Sequence, residues 1–267
     1  MSEDAGAPAA RYTLALSKGG ALLAETRILL NAWQPGESSV DLGARVLRDD
    51  LLGRATARRA LDIVRAFTLR FLQPSDVPAR HLRRLLSPTA PRQMFSDLVL
   101  FYIARQDDLL RDFVIHGYWP AARDGALTIR NEDVHCLIAE AHRDGRIRSP
   151  WSPELRRDLA GRLLVVLTTF GLMEEDRRGR RHLLPYTPAD GTILYLAYLL
   201  HDQGVSDGSL AEHPDWVLFG LEPPDVWNRL EALVSAGWLI VQRAGQVVRV
   251  NWTHKSVEEM LDVLAGR

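Results

Sequence analysis

The spacing of apolar residues predicts a chain built mostly of helices. Apolar positions three and four residues apart predict a first helix from about Ser17 to Trp33, ended by Gln34-Pro35-Gly36. Ser38 and Ser39 are good capping residues for a second helix that runs to Asp50. After the Leu51-Leu52-Gly53 turn a third helix reaches Leu72, and its apolar stripe is made of Ala60, Ile63, Val64, Phe67 and Phe71. Two helices joined by a tight glycine turn form a helix-turn-helix candidate.

Further helices are expected at about 78–87, 91–107, 107–117 and 131–144, separated by prolines and by Gly125. The Pro150-Trp151-Ser152-Pro153 stretch is typical of a boundary, with Ser152 as cap and Pro153 at the first position of a new helix to about Phe170. Helices are also expected at about 190–202, at 224–236 and, at the C-terminus, at 255–264.

Two β-hairpins interrupt this pattern, and each follows a helix directly. Residues 172–177 and 180–186 flank Arg178-Gly179, and residues 238–243 and 246–252 flank Ala244-Gly245. We therefore expect a mainly α fold, with a helical N-terminal lobe of helix-turn-helix character and a C-terminal lobe of tandem winged-helix-like units with short β-hairpins. The corresponding domains are a disordered tail at 1–11, a helical domain at 12–149 with the helix-turn-helix-like segment, and a winged-helix-like domain at 150–267.

Composition narrows the class of protein. The longest nearly apolar stretch, Leu163 to Met173, is about half of the ~20 residues that span a bilayer, and residues 1–10 have no apolar signal-peptide core. The single cysteine, Cys136, excludes an internal disulfide framework. We expect a cytoplasmic protein without a membrane partner.

Charge is distributed unevenly along a chain whose net charge is only −1. From Leu42 to Arg92 there are eleven arginines and four aspartates, a local net charge of +7. From Asp190 to Ile240 eight acidic residues accompany Arg229 alone, a local net charge of −7. Such asymmetry predicts two faces that meet different partners.

Arginines at helix starts suggest contacts with duplex DNA. Arg54, Arg58 and Arg59 open the third helix, where the helix dipole disfavours cations and where helix-turn-helix proteins contact bases. A solvated arginine face is the alternative interpretation. Arg156 and Arg157, in the first turn of the helix after Ser152, carry a weaker form of the same signal.

The tip of the first hairpin is the other DNA candidate, because it contains Arg177, Arg178, Arg180 and Arg181 around Gly179. A two-residue turn at Arg178-Gly179 would set Asp176 opposite Arg181 and Arg177 opposite Arg180, a like-charge pair that an external anion would relieve. Arginines on a narrow β-ribbon can follow phosphates or enter the minor groove. The alternative is a flexible basic loop balanced by the neighbouring acids. Lys18, at the start of the first helix, could hold one further phosphate, although a plain capped helix start explains it equally well.

No motif supports catalysis, a cofactor or a metal. The chain lacks a phosphate-binding GxxxxGK[ST] loop, a CxxC pair, HExxH and GxSxG. His135 and His142 are two helical turns apart, roughly 10.5 Å, which is too far for one zinc ion. We expect a protein that is not an enzyme.

Several segments resemble the BrxA family, a small component of BREX, the bacterial bacteriophage-exclusion systems. They are Leu16-Ser17-Lys18-Gly19-Gly20, the stretch from Asp50 to Arg59, Gly237-Trp238, and Val248 to Trp252. The resemblance covers roughly residues 12–110 and 150–262, and segments 116–130 and 201–224 depart from it. It implies a helical protein that binds double-stranded DNA and works beside other BREX proteins, among them a methyltransferase, an ATPase and a phosphatase-like component; it implies no catalytic residues.

Three alternatives to a non-catalytic duplex-DNA binder remain open. An adaptor without DNA contact could use the acidic C-terminal segment to dock a partner, and a winged-helix transcriptional regulator would require a defined operator. A hydrolase or nuclease has the least support from the sequence.

Overall fold

The structure, a computed structural model, describes residues 11–53, 55–245 and 247–266, without the side chains of Ser17, Lys18 and Ala244. Within these residues it contains thirteen α-helices and two antiparallel two-stranded hairpins, which confirms the mainly α fold class with short β-hairpins. The helices are α1 (Ala15–Gly19), α2 (Leu23–Ala32), α3 (Ser39–Arg48), α4 (Ala57–Phe67), α5 (Val77–Arg84), α6 (Arg92–Gln106), α7 (Asp108–Phe113), α8 (Trp119–Arg123), α9 (Asn131–Arg143), α10 (Pro153–Thr169), α11 (Asp190–Asp202), α12 (Pro223–Val234) and α13 (Val257–Leu264). The strands are β1 (Met173–Glu175), β2 (Arg181–Leu183), β3 (Leu239–Ala244) and β4 (Val247–Trp252).

The first predicted helix is wrong in one respect, because two helices replace it. Gly20, with a φ of +56°, and Leu22, with a φ of +46°, place the backbone in the left-handed region between α1 and α2. A right-handed helix cannot continue through such residues. Apolar periodicity did not register this break, since the stripe continues on both sides of it.

Local capping fixes the start of α3, as predicted, and also the start of α4. The Ser38 hydroxyl accepts a hydrogen bond from the Asp41 amide at 3.1 Å, and the Thr56 hydroxyl accepts one from the Arg59 amide at 3.2 Å. After α4 the chain continues through a π-helical turn, Thr68–Leu72. All five residues of the predicted apolar stripe are buried.

The helical segment predicted at 107–117 continues beyond residue 117. Asp107 caps α7, a π-helical turn (Val114–Tyr118) follows, and α8 then reaches Arg123. Pro120 lies in the first turn of α8.

The described chain divides into two compact units, each assembled from separate segments. Unit 1 contains residues up to 26 with 38–70 and 102–186, and unit 2 contains 27–37, 71–101 and 187–267. Residue 150 lies inside unit 1, so packing groups segments from both sides of the predicted boundary. The division into independently folding domains at 12–149 and 150–267 stays a prediction.

Unit 1 places an extended segment beside the first hairpin. Thr128, between α8 and α9, forms an antiparallel bridge with His182 of β2, and the Leu183 amide donates to the Leu127 carbonyl at 3.0 Å. The order along the chain is therefore α8, the extended segment, α9, α10 and the hairpin of β1 and β2. The extended segment pairs with β2, the last strand of this series.

The base of this hairpin is tied to the interior by one phenol. The Tyr118 hydroxyl lies 3.1 Å from the Leu172 carbonyl oxygen and 3.0 Å from that of Leu184, just outside the two strands. Tyr118 is fully buried, and burial raises its pKa to about 12. The phenol therefore stays protonated as the donor shared by both carbonyls.

Unit 2 contains the second hairpin, whose turn differs from the prediction by one residue. Ala244 pairs with Val247, so the connection is 245–246 and not Ala244-Gly245; Gln246 itself lies outside the described residues. Two 3-10 segments that apolar periodicity did not predict, Asp207–Glu212 and Pro214–Phe219, fill the space after α11. They bury Trp216, whose indole nitrogen donates to the Leu210 carbonyl at 2.7 Å.

A buried histidine joins three helices of unit 2. His81 Nε2 lies 3.0 Å from Glu258 Oε1, and its Nδ1 lies 2.7 Å from the Tyr195 hydroxyl. Because an ionised carboxylate only accepts hydrogen bonds, the neutral ring donates from Nε2 to Glu258 and accepts from Tyr195 at Nδ1. Burial lowers the pKa of His81, against the opposing effect of Glu258.

None of the described helices has the length and apolar composition needed to cross a bilayer.

We expect Tyr118→Phe to lower the free energy of unfolding by about 1–3 kcal/mol, because the Leu184 carbonyl loses this donor and the Leu172 carbonyl keeps only its bond from the Leu184 amide. Urea denaturation would measure the change. Hydrogen exchange should also accelerate most at the amides of β1 and β2. A variant as stable as wild type, with unchanged exchange in the hairpin, would show that the phenol does not secure it.

A second expectation concerns pH. With its pKa below the ordinary value of about 6.5, His81 binds fewer protons in the folded than in the unfolded state, so the free energy of unfolding falls as pH drops through and below 6.5. His81→Gln keeps a donor for Glu258 and an acceptor for Tyr195 but does not titrate. We expect a shallower fall for this variant between about pH 7.5 and 5 in urea titrations; parallel curves for the two proteins would contradict the assignment.

Candidate nucleic-acid interface

The start of α10 is fixed by its own sequence. The Ser152 hydroxyl accepts a hydrogen bond from the Leu155 amide at 3.2 Å and Pro153 occupies the first turn, as predicted. Arg156 and Arg157 consequently lie in the first two turns. Arg157 is exposed, whereas Arg156 is half-buried, and its enclosed Nε has no hydrogen-bond partner among the described residues.

One stripe of α10 faces outward. The helix packs against α1, α9 and β1 through a buried apolar face. Its outward residues recur every three or four positions and line a cleft of about 620 Å³ together with Gly20 and Arg181. These outward residues are Glu154, Arg157, Asp158, Gly161, Arg162 and Val165. Asp158 is paired with Arg162 at 2.8 Å. The other two arginines that line this cleft, Arg157 and Arg181, are therefore not neutralised by Asp158.

The first hairpin has a register different from the predicted one. Glu175 pairs with Arg181, so the like-charge pair of Arg177 and Arg180 does not form. Arg181 was predicted to pair with Asp176, but in the structure it pairs with Glu175, whose Oε2 lies 3.0 Å from Arg181 Nε. The predicted two-residue turn was therefore wrong by one position on the first strand.

The carboxylate of Asp176 explains the longer loop. Its Oδ1 accepts hydrogen bonds from the amides of Arg178 at 2.8 Å and Arg180 at 2.9 Å, and these bonds hold its pKa below the usual range. Gly179 adopts a φ of +74°, the left-handed conformation that closes a three-residue loop after a type I turn. A side chain that bonds two amides of the loop outweighs the preference for a two-residue turn.

Three arginines at the hairpin tip have no internal partner. Arg177, Arg178 and Arg180 are exposed, and their guanidinium groups make no hydrogen bond or ion pair with the described residues. Arg181 differs, because it is only 19% exposed and is engaged with Glu175. Arg180 and Arg181 also line a second cleft, of about 720 Å³, beside Arg130 and the start of α9.

The structure brings together only part of the predicted set. Arg58 is exposed and Arg59 half-buried in the first turn of α4, which packs against α3 and α1. Arg54 lies outside the described residues, as does the side chain of Lys18. The arginines of α4 and those of α10 and the first hairpin are therefore separate candidates, and α4 and α10 both pack against α1.

Sequence patterns missed Arg130 and Arg162. Arg130 borders the hairpin only because residues 127–129 pair with β2, a contact across more than fifty positions of sequence. Arg162 could have been found, since it follows Arg157 and Asp158 on the outward stripe at helical spacing.

The acidic C-terminal segment uses many of its carboxylates internally. Asp202 accepts from the Val257 amide at 3.1 Å, Asp207 from the Val250 amide at 2.9 Å, and Asp225 from the Glu222 amide at 3.1 Å. Asp190 pairs with Arg229 at 2.7 Å and Glu231 with Arg243 at 3.0 Å. The predicted acidic face is thus smaller than the charge count suggests.

The described part of the chain contains no candidate metal site. No three His, Cys, Asp or Glu side chains there converge as ligands would.

Comparison with known proteins gives a similar fold and a family for this chain. The fold is similar to that of an uncharacterized protein from Magnetospirillum magneticum, with a TM-score of 0.57 and 18% identity over 73% of this chain and 96% of that one. No curated protein matches the sequence. Residues 10–198 match the BrxA family, a stretch that contains α10 and the first hairpin and ends within α11. Because this match covers well over half of its 267 residues, the chain belongs to the BrxA family and is a BREX-associated protein.

Proposed function

We propose that this protein is a non-catalytic component of a BREX assembly that binds double-stranded DNA through α10 and the first hairpin. The observation that carries the proposal is the hairpin tip, where Arg177, Arg178 and Arg180 are exposed and have no acidic partner among the described residues. Other BREX proteins would be its partners in the assembly.

The order of elements in unit 1 supports a winged-helix interpretation. A helix, a short strand, two helices and a hairpin follow one another, and the short strand pairs with the hairpin's last strand through Thr128 and His182. In such folds the second of the two adjacent helices enters the major groove and its N-terminal residues contact bases. That helix is α10, and the residues are Arg156 and Arg157.

Electrostatics favours an anion at this surface. The N-terminal end of a helix carries a partial positive charge, which disfavours Arg156, at the end of the first turn of α10, by at most a few tenths of a kcal/mol. Three neighbouring arginines in a loop of the hairpin repel one another as well. A phosphate near either group removes the repulsion, and a duplex supplies phosphates at both.

Contacts of this kind bind the DNA backbone. Phosphate contacts position a protein on the duplex but carry little sequence information. We therefore expect weak sequence preference and strong salt dependence. Base contacts from the start of α10 would add a modest preference.

The two alternatives make different demands. An adaptor without DNA contact would need a free acidic surface, and most carboxylates named above are already bonded within unit 2. A transcriptional regulator would protect one short site in the presence of excess random competitor DNA, which the proposed backbone contacts would not allow.

Removing three phosphate contacts should change the salt dependence of binding. For Arg177→Ala/Arg178→Ala/Arg180→Ala we expect the slope of log affinity against log salt to fall by about 2.7, because each contact contributes about 0.9. Fluorescence anisotropy with a labelled random duplex would measure it.

The matched control is Arg80→Ala/Arg143→Ala/Arg243→Ala, which removes the same charge from arginines paired with Asp76, Glu140 and Glu231. It should keep a nearly wild-type slope. Equal losses in both triple variants would mean that net charge, and not the hairpin, governs binding; no binding by folded wild type would favour the adaptor.

The geometry of the loop can be tested without changing any charge. Gly179→Ala places a side chain at a φ of +74°, which costs roughly 1–2 kcal/mol in that conformation. We expect DNA affinity to fall about fivefold at fixed salt, as the arginines lose their arrangement. Gly208→Ala, in an open site with ordinary φ, is the control and should leave affinity unchanged. A wild-type affinity for Gly179→Ala would show that only the charges matter.

A further inference from the structure

The outward side of α3 is apolar, which is unusual for a helix at the surface of a protein. The helix already buries Leu42 and Val46 inside unit 1. On its other side Val40, Ala44 and Leu47 recur at spacings of four and three residues, so they share one exposed face. Val40 is 76% exposed and Leu47 is 40% exposed. A surface helix ordinarily carries polar residues on that side.

Helix α4 extends this apolar surface across the helix pair. Gly43 lies between Val40 and Leu47 on α3, and a Cβ there would lie 3.2 Å from Leu61 Cδ2. Leu61 therefore lies against α3 beside the two exposed residues, and it is itself 47% exposed. We call Val40, Ala44, Leu47 and Leu61 the α3–α4 face. Single exposed apolar residues are common on proteins, whereas a contiguous group indicates a surface that another molecule covers.

Arginines border this face on α4. Arg58 lies three residues before Leu61 and Arg65 four residues after it, so both flank Leu61 on the same side of the helix. Both arginines are exposed, and neither makes an ion pair or a side-chain hydrogen bond with the described residues. Asp62, the acid between them in sequence, pairs with neither. With two unpaired arginines and one aspartate, the border on α4 is positive.

The carboxylates of α3 and of its C-terminal end do not offset this charge, because they are used locally. Asp41 accepts a hydrogen bond from the Ser38 hydroxyl at 2.6 Å, and Asp49 pairs with Arg48 at 2.8 Å. The α3–α4 face is therefore complementary to a molecule that is both apolar and acidic.

Three kinds of molecule are candidates to cover such a face, and two fit poorly. Duplex DNA would bring phosphates to Arg58 and Arg65, but the aliphatic side chains between them gain nothing from a charged backbone. A second copy of this chain in a two-fold contact would set the same two arginines against themselves. An amphipathic helix with carboxylates beside its apolar stripe satisfies both the aliphatic and the cationic groups.

We propose that the α3–α4 face docks an acidic amphipathic helix of a partner protein. Apolar anchors spaced three, four and seven residues apart pack on Val40, Leu47 and Leu61. Glutamates or aspartates beside these anchors pair with Arg58 and Arg65. The face lies on helices other than α10 and the hairpin, so this inference goes beyond the proposed DNA binding and does not depend on it.

A synthetic peptide is the probe that tests the proposal. It has about 18 residues, enough to form a helix, with leucines at the stated spacings, flanking glutamates and a fluorescein label. Fluorescence anisotropy with the full chain at low salt should give a Kd below about 100 µM. One control peptide carries lysine in place of every glutamate, and another has the same composition in an order that spreads the leucines round the helix. We expect each control peptide to bind at least about tenfold more weakly.

Two variants separate the apolar from the charged contribution. Val40→Gln/Leu47→Gln/Leu61→Gln keeps helix propensity but removes the apolar anchors, so the Kd of the acidic peptide should rise at least about tenfold. Arg58→Glu/Arg65→Glu reverses the border. It should weaken binding of the acidic peptide by about tenfold or more and strengthen binding of the lysine peptide.

Matched controls change similarly exposed residues elsewhere in the chain. They are Ile240→Gln/Val247→Gln/Val263→Gln for the apolar set and Arg148→Glu/Arg249→Glu for the charged set. Both should keep a Kd within about twofold of wild type. Circular dichroism and thermal unfolding establish that each variant is folded.

Several results would overturn the proposal. They are no binding of the acidic peptide up to about 1 mM, or equal binding of either control peptide. A wild-type dimer in sedimentation that the apolar variant abolishes would assign the face to a second copy. A loss of duplex-DNA affinity in the apolar variant would assign it to DNA, whereas unchanged DNA affinity separates this face from the hairpin.

Discussion

The arginine surface of this protein depends on how a very short hairpin is held. The β1 and β2 strands share three residue pairs, and an isolated hairpin of that size is marginal in water. Tyr118 bonds the carbonyls at both ends of its base, and Thr128 pairs with His182 on its free edge. These two attachments turn a weak local structure into a fixed platform, so the positions of Arg177, Arg178 and Arg180 follow from them.

Charge pairing divides arginines into two populations. Arg162 and Arg181 each have a carboxylate within hydrogen-bond distance, which fixes their side chains and neutralises them locally. The arginines at the hairpin tip have none among the described residues, because Asp176 in the same loop accepts from two backbone amides through Oδ1 and faces His182 through Oδ2. One aspartate therefore shapes the loop and, by the same hydrogen bonds, leaves the surrounding cations available to an external anion.

Polar groups without a hydrogen-bond partner occur in two different physical situations in unit 1. At the hairpin the unsatisfied groups are exposed cations, which water solvates at small cost and phosphates bind with strong salt dependence. Inside unit 1, by contrast, Arg70 Nη1 and Asp107 Oδ2 are enclosed without a hydrogen-bond partner among the described residues, and each missing hydrogen bond there is costly. The exposed cations of the hairpin are therefore the groups that suit a long polyanion.

The sequence alone determined the helices, the two hairpins and the family, because capping residues such as Ser38 and Ser152, apolar periodicity and turn residues act within a few positions. It did not determine the break at Gly20, the register around Asp176, or which arginines have partners. These depend on contacts between distant residues, such as Thr128 with His182 and Arg70 with Gly20. Tertiary structure decided them, since burial and pairing are properties of residues brought together by folding and not of their order in the chain.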